Sequence, residues 1–258
     1  MTSAFEKLKT DILPQLRRSK MAVNVDILGR SDEQILAQMK ADPTKLNVEE
    51  MLRAGSLTKD NNEQLKFYQA AAENNPKDFR AQNNIGCTLM ALGKTDEAIA
   101  SFEKAKAIEN NDVIKNNLGF GSLVKGDVAK AEEYFNSMTA ATPESKYGLG
   151  VIAITKGEYD KAVNDFGTEP SFNLALALYL KGDVAKAKST LDSMKELCKC
   201  GKPSYLKAVI GAKLDDKNYM LSNLREAIGF KADWKAYAKT DLEFAKFFTD
   251  DTFKSTVQ

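Results

Sequence analysis

The chain has 258 residues, 37 basic against 36 acidic side chains for a formal net charge of +1, 43% hydrophobic residues and 28% charged ones. That balance is one of a folded chain rather than a disordered one, and it leaves no bulk electrostatic pull toward nucleic acid or an anionic lipid surface. Histidine is absent, which removes the commonest general base and the commonest metal ligand, and no stretch approaches the roughly 20 apolar residues needed to span a bilayer.

From the start of the chain, Thr2 to Leu16 predicts an amphipathic helix with Phe5, Leu8, Ile12 and Leu16 on one face, interrupted near Pro14. Met21, Val23, Val25 and Ile27 then alternate with Asn24 and Asp26, the pattern of a strand. One strand is not a sheet, and its backbone groups need partners. The expectation is that residues ahead of Met1 supply that sheet in a longer natural protein; pairing in a homodimer is the alternative. The opening run MTSAFEKLKT lacks the apolar stretch of a signal peptide. Ser31-x-x-Gln34 caps a predicted helix from Asp32 to Ala41, and Asp42-Pro43 leads to a second capping box, Asn47-x-x-Glu50, which opens a helix over Val48 to Ser56. The predicted organisation is 1–30 as the end of a preceding domain, 31–44 as a linker helix, 45–234 as a repeat array and 235–258 as a cap.

The array is defined by a recurring skeleton: Ile85-Gly86, Gly93, Ala98, Phe102; Leu118-Gly119, Gly126, Ala131, Phe135; Leu149-Gly150, Gly157, Ala162, Phe166; and Leu174-Ala175, Gly182, Ala187, Leu191. The turn glycines are 33, 31 and 25 residues apart. Gly86, Gly119 and Gly150 fall in mid-helix, where glycine costs about 1 kcal/mol against alanine, so a close helix approach is expected there. Gly93, Gly126, Gly157 and Gly182 fall where an apolar-periodic segment stops and a left-handed residue closes a helix. Extending the register adds a degenerate unit at about 45–78, with Tyr68, Ala71 and Pro76 at signature positions. Another covers 201–234, with Tyr205, Ala208, Leu224 and Ala227 in register and Asp215 at the turn. Between Gly157 and Gly182 one unit is short: its second helix, Tyr159 to Phe166, must stop at Gly167, with Glu169-Pro170 starting the next helix at once. After Asp233, the residues Trp234, Tyr237, Phe244, Phe247, Phe248 and Phe253 predict an aromatic cap over the last apolar face.

This skeleton resembles the tetratricopeptide repeat (TPR), a helix-turn-helix unit about 34 residues long. The resemblance implies an all-α, right-handed superhelical solenoid of about six units. The run Ile12-Leu13-Pro14-Gln15-Leu16-Arg17-Arg18-Ser19, with the strand, Gly29 and Ser31-Asp32-Glu33-Gln34-Ile35 after it, resembles the junction in bacterial envelope proteins that join an OmpA-like domain to a C-terminal TPR array. That second resemblance implies a periplasmic or outer-membrane-associated protein, with peptidoglycan contact only through the missing upstream domain. A cytoplasmic adaptor is the alternative.

The TPR resemblance further implies a non-catalytic scaffold that binds a protein or peptide partner on the first helices of its units, with no cofactor, no nucleic acid and no membrane insertion by this chain. The positions that line a TPR groove map to Arg80, Asn83, Cys87 and Met90; to Asn116, Phe120 and Leu123; to Tyr147 and Val151; and to Phe172, Leu176 and Tyr179. Asparagine amides suit an extended peptide backbone, and aromatics hold side chains. Asn83, Cys87 and Tyr147 stand where a carboxylate-clamp adaptor carries lysine, asparagine and basic residues, which argues against a C-terminal carboxylate as ligand. The same aromatics also fit a reading in which they fill a tightly wound superhelix. An enzyme is disfavoured: the chain has no phosphate-binding glycine loop, nucleophile elbow or metal-ligand cluster, and its acidic pairs, such as Asp96-Glu97 and Glu132-Glu133, fall on outer faces. Cys198 and Cys200 read either as a disulfide or redox pair or as incidental thiols; without a second pair or an activating motif, incidental thiols are expected. Cys87 reads as a small packing or groove residue.

Overall fold

The computed structural model describes residues 29–194 and 198–258. Within them the chain opens with α1 (Asp32–Ala41), whose N-terminus carries the expected reciprocal cap between Ser31 and Gln34, and continues through a 3-10 turn at Pro43–Lys45. Six helix pairs follow among the described residues: α2 (Val48–Leu57) with α3 (Asn61–Asn74), α4 (Phe79–Ala91) with α5 (Thr95–Ile108), and α6 (Asp112–Lys125) with α7 (Val128–Asn136); then α8 (Pro143–Thr155) with α9 (Tyr159–Phe166), α10 (Phe172–Lys181) with α11 (Val184–Ser193), and α12 (Lys202–Lys213) with α13 (Lys217–Phe230). The chain ends in α14 (Trp234–Thr240), a 3-10 helix at Leu242–Phe247, and α15 (Asp251–Val257). No strand occurs among the described residues; the helix and strand expected over residues 2–28 lie outside them.

The signature positions fit together within each pair. An ideal Cβ on Gly119 would lie 2.5 Å from Phe135, and one on Gly150 would lie 2.7 Å from Phe166. Each mid-helix glycine is therefore the seat of its own unit's phenylalanine, sixteen residues on in the sequence. Phe135 is clamped from its other side as well, since a Cβ on Gly148 of the next unit would also meet its ring, and Phe120 presses edge-on with ring centroids 5.2 Å apart. Ala98, Ala131, Ala162 and Ala187 are each fully buried where the second helix crosses the first. Neighbouring units share their apolar faces, so the core runs along the array as a chain of adjoining clusters rather than a single centre.

The turns repeat as closely. Gly126 takes φ 84° and closes α6 by donating its N–H to the carbonyl of Leu123. Asp215 holds the same left-handed conformation at φ 56°, the one non-glycine residue to do so among those described. Aspartate tolerates this region better than most residues.

Two expectations need correction. Helix α9 does stop at Gly167, but the next helix does not begin at Glu169-Pro170; Ser171 caps it by accepting from the Leu174 N–H, and α10 starts at Phe172. A side-chain oxygen over the first turn is what the free N–H groups there require. Cys198 and Cys200 are joined as a disulfide rather than standing as separate thiols, with their Cα atoms 5.2 Å apart. The loop that carries them is pinned to the cap, because Trp234 Nε1 donates to the Cys200 carbonyl at 3.2 Å.

Candidate partner-binding groove

First helices of neighbouring units touch one another directly, α4 with α6, α6 with α8 and α10 with α12, and no pair of second helices packs comparably. The side of the array formed by first helices is therefore the inner one, and the groove positions named from the sequence stand on these helices. A separate open cleft of about 550 Å³ lies on the outer side between α3 and α5, lined by Gln69, Glu73, Glu97 and Lys104.

At the N-terminal end, Arg80 is fully engaged. Its guanidinium holds Asp78, with Nη2 2.6 Å from the carboxylate, and reaches Glu49 of the preceding unit at 2.8 Å. The Arg80 fork lowers the pKa of Asp78. Asn83 is buried, and its side-chain oxygen accepts from Asn117 Nδ2 of the neighbouring unit at 2.8 Å. Cys87 is exposed and lies 3.6 Å from the same Asn117 nitrogen. Asn116 is half-buried, and its Oδ1 is enclosed with no hydrogen-bond partner among the described residues. In the repeat register, where Gly119 answers to Gly150, the counterpart of Asn117 in the next unit is Gly148, a position that the Phe135 ring keeps free of a side chain.

The aromatic positions divide into open and closed. Tyr147 is 40% exposed. Its ring meets Phe166 edge-on at 5.3 Å, and its hydroxyl oxygen accepts from Asn173 Nδ2 at 2.7 Å. Phe120 leans on Phe135, while Phe172 and Leu176 are half-buried against the cluster around Leu174 and Leu178. Tyr179 is not free: it packs against the C-terminal cap, and burial together with the neighbouring Glu243 carboxylate raises its pKa. Met90, Leu123 and Val151 complete the inner face as half-buried residues.

Sequence reasoning missed Asn117 and Asn173, which donate hydrogen bonds from one unit to the groove residues Asn83 and Tyr147 of the unit before. Each directly follows a named groove residue, and Asn117 lies thirty-four residues after Asn83, one repeat along. Tracking equal residue types at that spacing finds the first pair.

Residues 79–112, which hold α4 and α5, match the model of the tetratricopeptide repeat family. Among solved structures the chain resembles the Cut9–Hcn1 hetero-tetramer of the APC/C with a TM-score of 0.70 at 16% identity, over 87% of this chain and 45% of that one. A tetratricopeptide repeat protein from Parabacteroides merdae gives 0.61 at 16% identity over 88% and 91% of the two chains. The fold is that of a TPR-like helical solenoid. PilF of Pseudomonas aeruginosa also shares the fold, at TM-score 0.56 and 15% identity over 84% and 98% of the chains. The BBSome complex member BBS4 of Bos taurus is 26% identical over 130 residues, covering 49% of this chain and 25% of that protein. The chain thus spans about a quarter of that curated relative and under half of the matched chain in the Cut9–Hcn1 structure.

Among the described residues no group of three or more His, Cys, Asp or Glu side chains is placed to hold a metal ion, and no helix is long and apolar enough to cross a membrane.

Proposed function

We propose that the chain is a non-catalytic scaffold whose inner face, over α4, α6 and α8, binds an extended segment of a protein partner. The fold itself favours protein–protein interaction. The observation that carries the more specific reading is Tyr147: a large aromatic side chain left open on the lining helices of a solenoid whose comparable tyrosines are covered. Its exposed ring offers a surface for a side chain of the partner.

Immobilised wild-type chain, Tyr147→Ala and an outer-face control, Lys104→Ala, test this in pull-downs from native extract. The proteins retained by wild type are expected to disappear with Tyr147→Ala and persist with Lys104→Ala, while melting temperatures agree within about 2 °C, as for surface substitutions. Equal retention by all three places binding elsewhere.

We further propose the cell-envelope assembly as the setting, on the N-terminal resemblance alone. Fractionation of cells expressing the tagged native gene tests it: recovery with membranes or periplasm supports this setting, and recovery in the cytosol supports the adaptor reading instead.

A further inference from the structure

Three tyrosines stand on consecutive first helices: Tyr147 on α8, Tyr179 on α10 and Tyr205 on α12. The second and third are already engaged by the chain's own C-terminal segment. Tyr205 donates its O–H to Asp241 Oδ2 at 2.7 Å, stacks on Trp234 at 4.5 Å and meets the edge of Phe244 at 5.8 Å. Tyr179 packs against the same C-terminal cluster, which contains Phe244 and Phe253. The run Asp241-Leu242-Glu243-Phe244 therefore lies against the last lining helix with the Asp241 carboxylate on Tyr205, and Phe244 is fully buried beside it. Lys217 to Asp250, at 2.5 Å, and Lys246 to Asp215 tether the segment to α13 and its turn.

Tyr147 is the counterpart of Tyr205 two units earlier, each ten residues before its left-handed turn residue, Gly157 and Asp215, but it has no carboxylate. Its oxygen is an acceptor to Asn173, so its own O–H remains to be donated, and it meets no acceptor among the described residues. The adjoining Phe166 ring, edge-on at 5.3 Å, supplies an apolar neighbour of the sort Trp234 and Phe244 supply to Tyr205. A carboxylate is the acceptor that gains most from a hydroxyl donor in a partly desolvated setting, because the bond is charge-assisted.

We propose that the open stretch of the groove, over α6 and α8, recognises an acidic–aromatic peptide segment, in which an aspartate or glutamate accepts the Tyr147 O–H and a nearby phenylalanine lies on the lining helices. The chain's own 241–248 segment is the intramolecular form of this ligand at the far end of the groove. This rests on the groove being the binding surface, and the test separates the two. A fluorescein-labelled peptide with the sequence of residues 239–248, KTDLEFAKFF, and its amide counterpart KTNLQFAKFF are titrated into the full chain by fluorescence anisotropy. Each carries a photo-cross-linker at its first phenylalanine.

The acidic peptide is expected to bind wild type about tenfold more tightly than the amide peptide, the order of a hydrogen bond to a charged group. That preference should vanish in Tyr147→Phe, which keeps the ring, while affinity for the amide peptide is unchanged. Cross-links are expected on α6 and α8. Equal affinity of the two peptides with cross-links on α6 and α8 overturns the acidic preference and leaves the groove reading standing. Cross-links on the outer face overturn both. Cross-links confined to α10 and α12, where the peptide replaces the chain's own cap or that of a second copy, overturn the open-stretch assignment. Absence of binding by either peptide overturns the proposal, with the pull-down still deciding the groove reading.

Discussion

Replacing Gly119 with alanine tests whether the mid-helix glycines are there for packing. In an exposed helix interior this change gains about 1 kcal/mol from helix propensity. Here the new Cβ falls 2.5, 2.7 and 2.9 Å from three atoms of the Phe135 ring, about 1 Å inside the roughly 3.5–4.0 Å at which carbon atoms rest. The ring has no room to retreat: Phe135 is 4% exposed, Gly148 receives its opposite side and Phe120 closes the edge. Overpacking of this kind costs typically 1–3 kcal/mol, and an overlap with three rigid atoms belongs at the upper end. The net loss is about 1–2 kcal/mol, or about 3–6 °C in melting temperature for a chain of this size. Gly229→Ala in α13 is the internal control, since nothing lies within 4 Å of its added Cβ, and it should gain about 0.5 kcal/mol. Thermal and urea unfolding followed by circular dichroism at 222 nm compares the two. Pairing Gly119→Ala with Phe135→Leu should lose less than the sum of the single changes, because the shortened side chain vacates the contested space. If Gly119→Ala instead stabilises the chain alongside Gly229→Ala, the packing explanation for the repeat glycine is wrong.

Other expected outcomes concern charge and backbone. Asp112 at the start of α6 accepts from the Thr139 hydroxyl and from the N–H groups of Thr139 and Ala140, and the Thr139 hydroxyl first, then those N–H groups, hold its pKa at about 2. Its folded pKa lies below the unfolded value of about 3.9, so its stabilisation is complete above the unfolded value and lost as pH falls toward 2. Melting curves of Asp112→Asn should accordingly lie below wild type at pH 7 and converge with it near pH 2; a constant gap across that window contradicts the assignment. Asp215→Gly relieves a left-handed aspartate and gives up an exposed ion pair to Lys246, and the net change is a gain of about 0.5 kcal/mol. A lower melting temperature would show that the Lys246 tether outweighs backbone strain. Tyr179→Ala should lower the melting temperature by several degrees where Tyr147→Ala barely moves it, since only the former removes a ring packed against the cap.

The array was legible in the sequence because its determinants are short-range. A glycine that admits a phenylalanine sixteen residues later recurs in three successive units, an alanine where helices cross and a left-handed residue at the turn continue beyond them, and each unit touches mainly its neighbours. The capping boxes at Ser31 and Asn47, the early stop at Gly167 and the aromatic cap follow from the same local rules. The start of α10 was misplaced because a proline can begin a helix, but a serine cap one residue later satisfies the first turn better.

The groove was legible only as a list of inward-facing positions. Periodicity assigns a residue to a face of its helix; it does not say what else comes to lie on that face. Tyr147 and Tyr179 occupy first helices one unit apart, yet one is open and the other covered, because the segment around Glu243 returns along the chain to pack there. Asn83 reads as a free amide until Asn117 of the next unit takes its oxygen, and Asn116 reads as its equal until Gly148 leaves it without a partner. The sequence by itself determined the helical units, their caps and their inner faces, since these depend on neighbours along the helix or one unit away. Tertiary structure alone decided which inner residues remain available, since that depends on where distant segments of the chain settle.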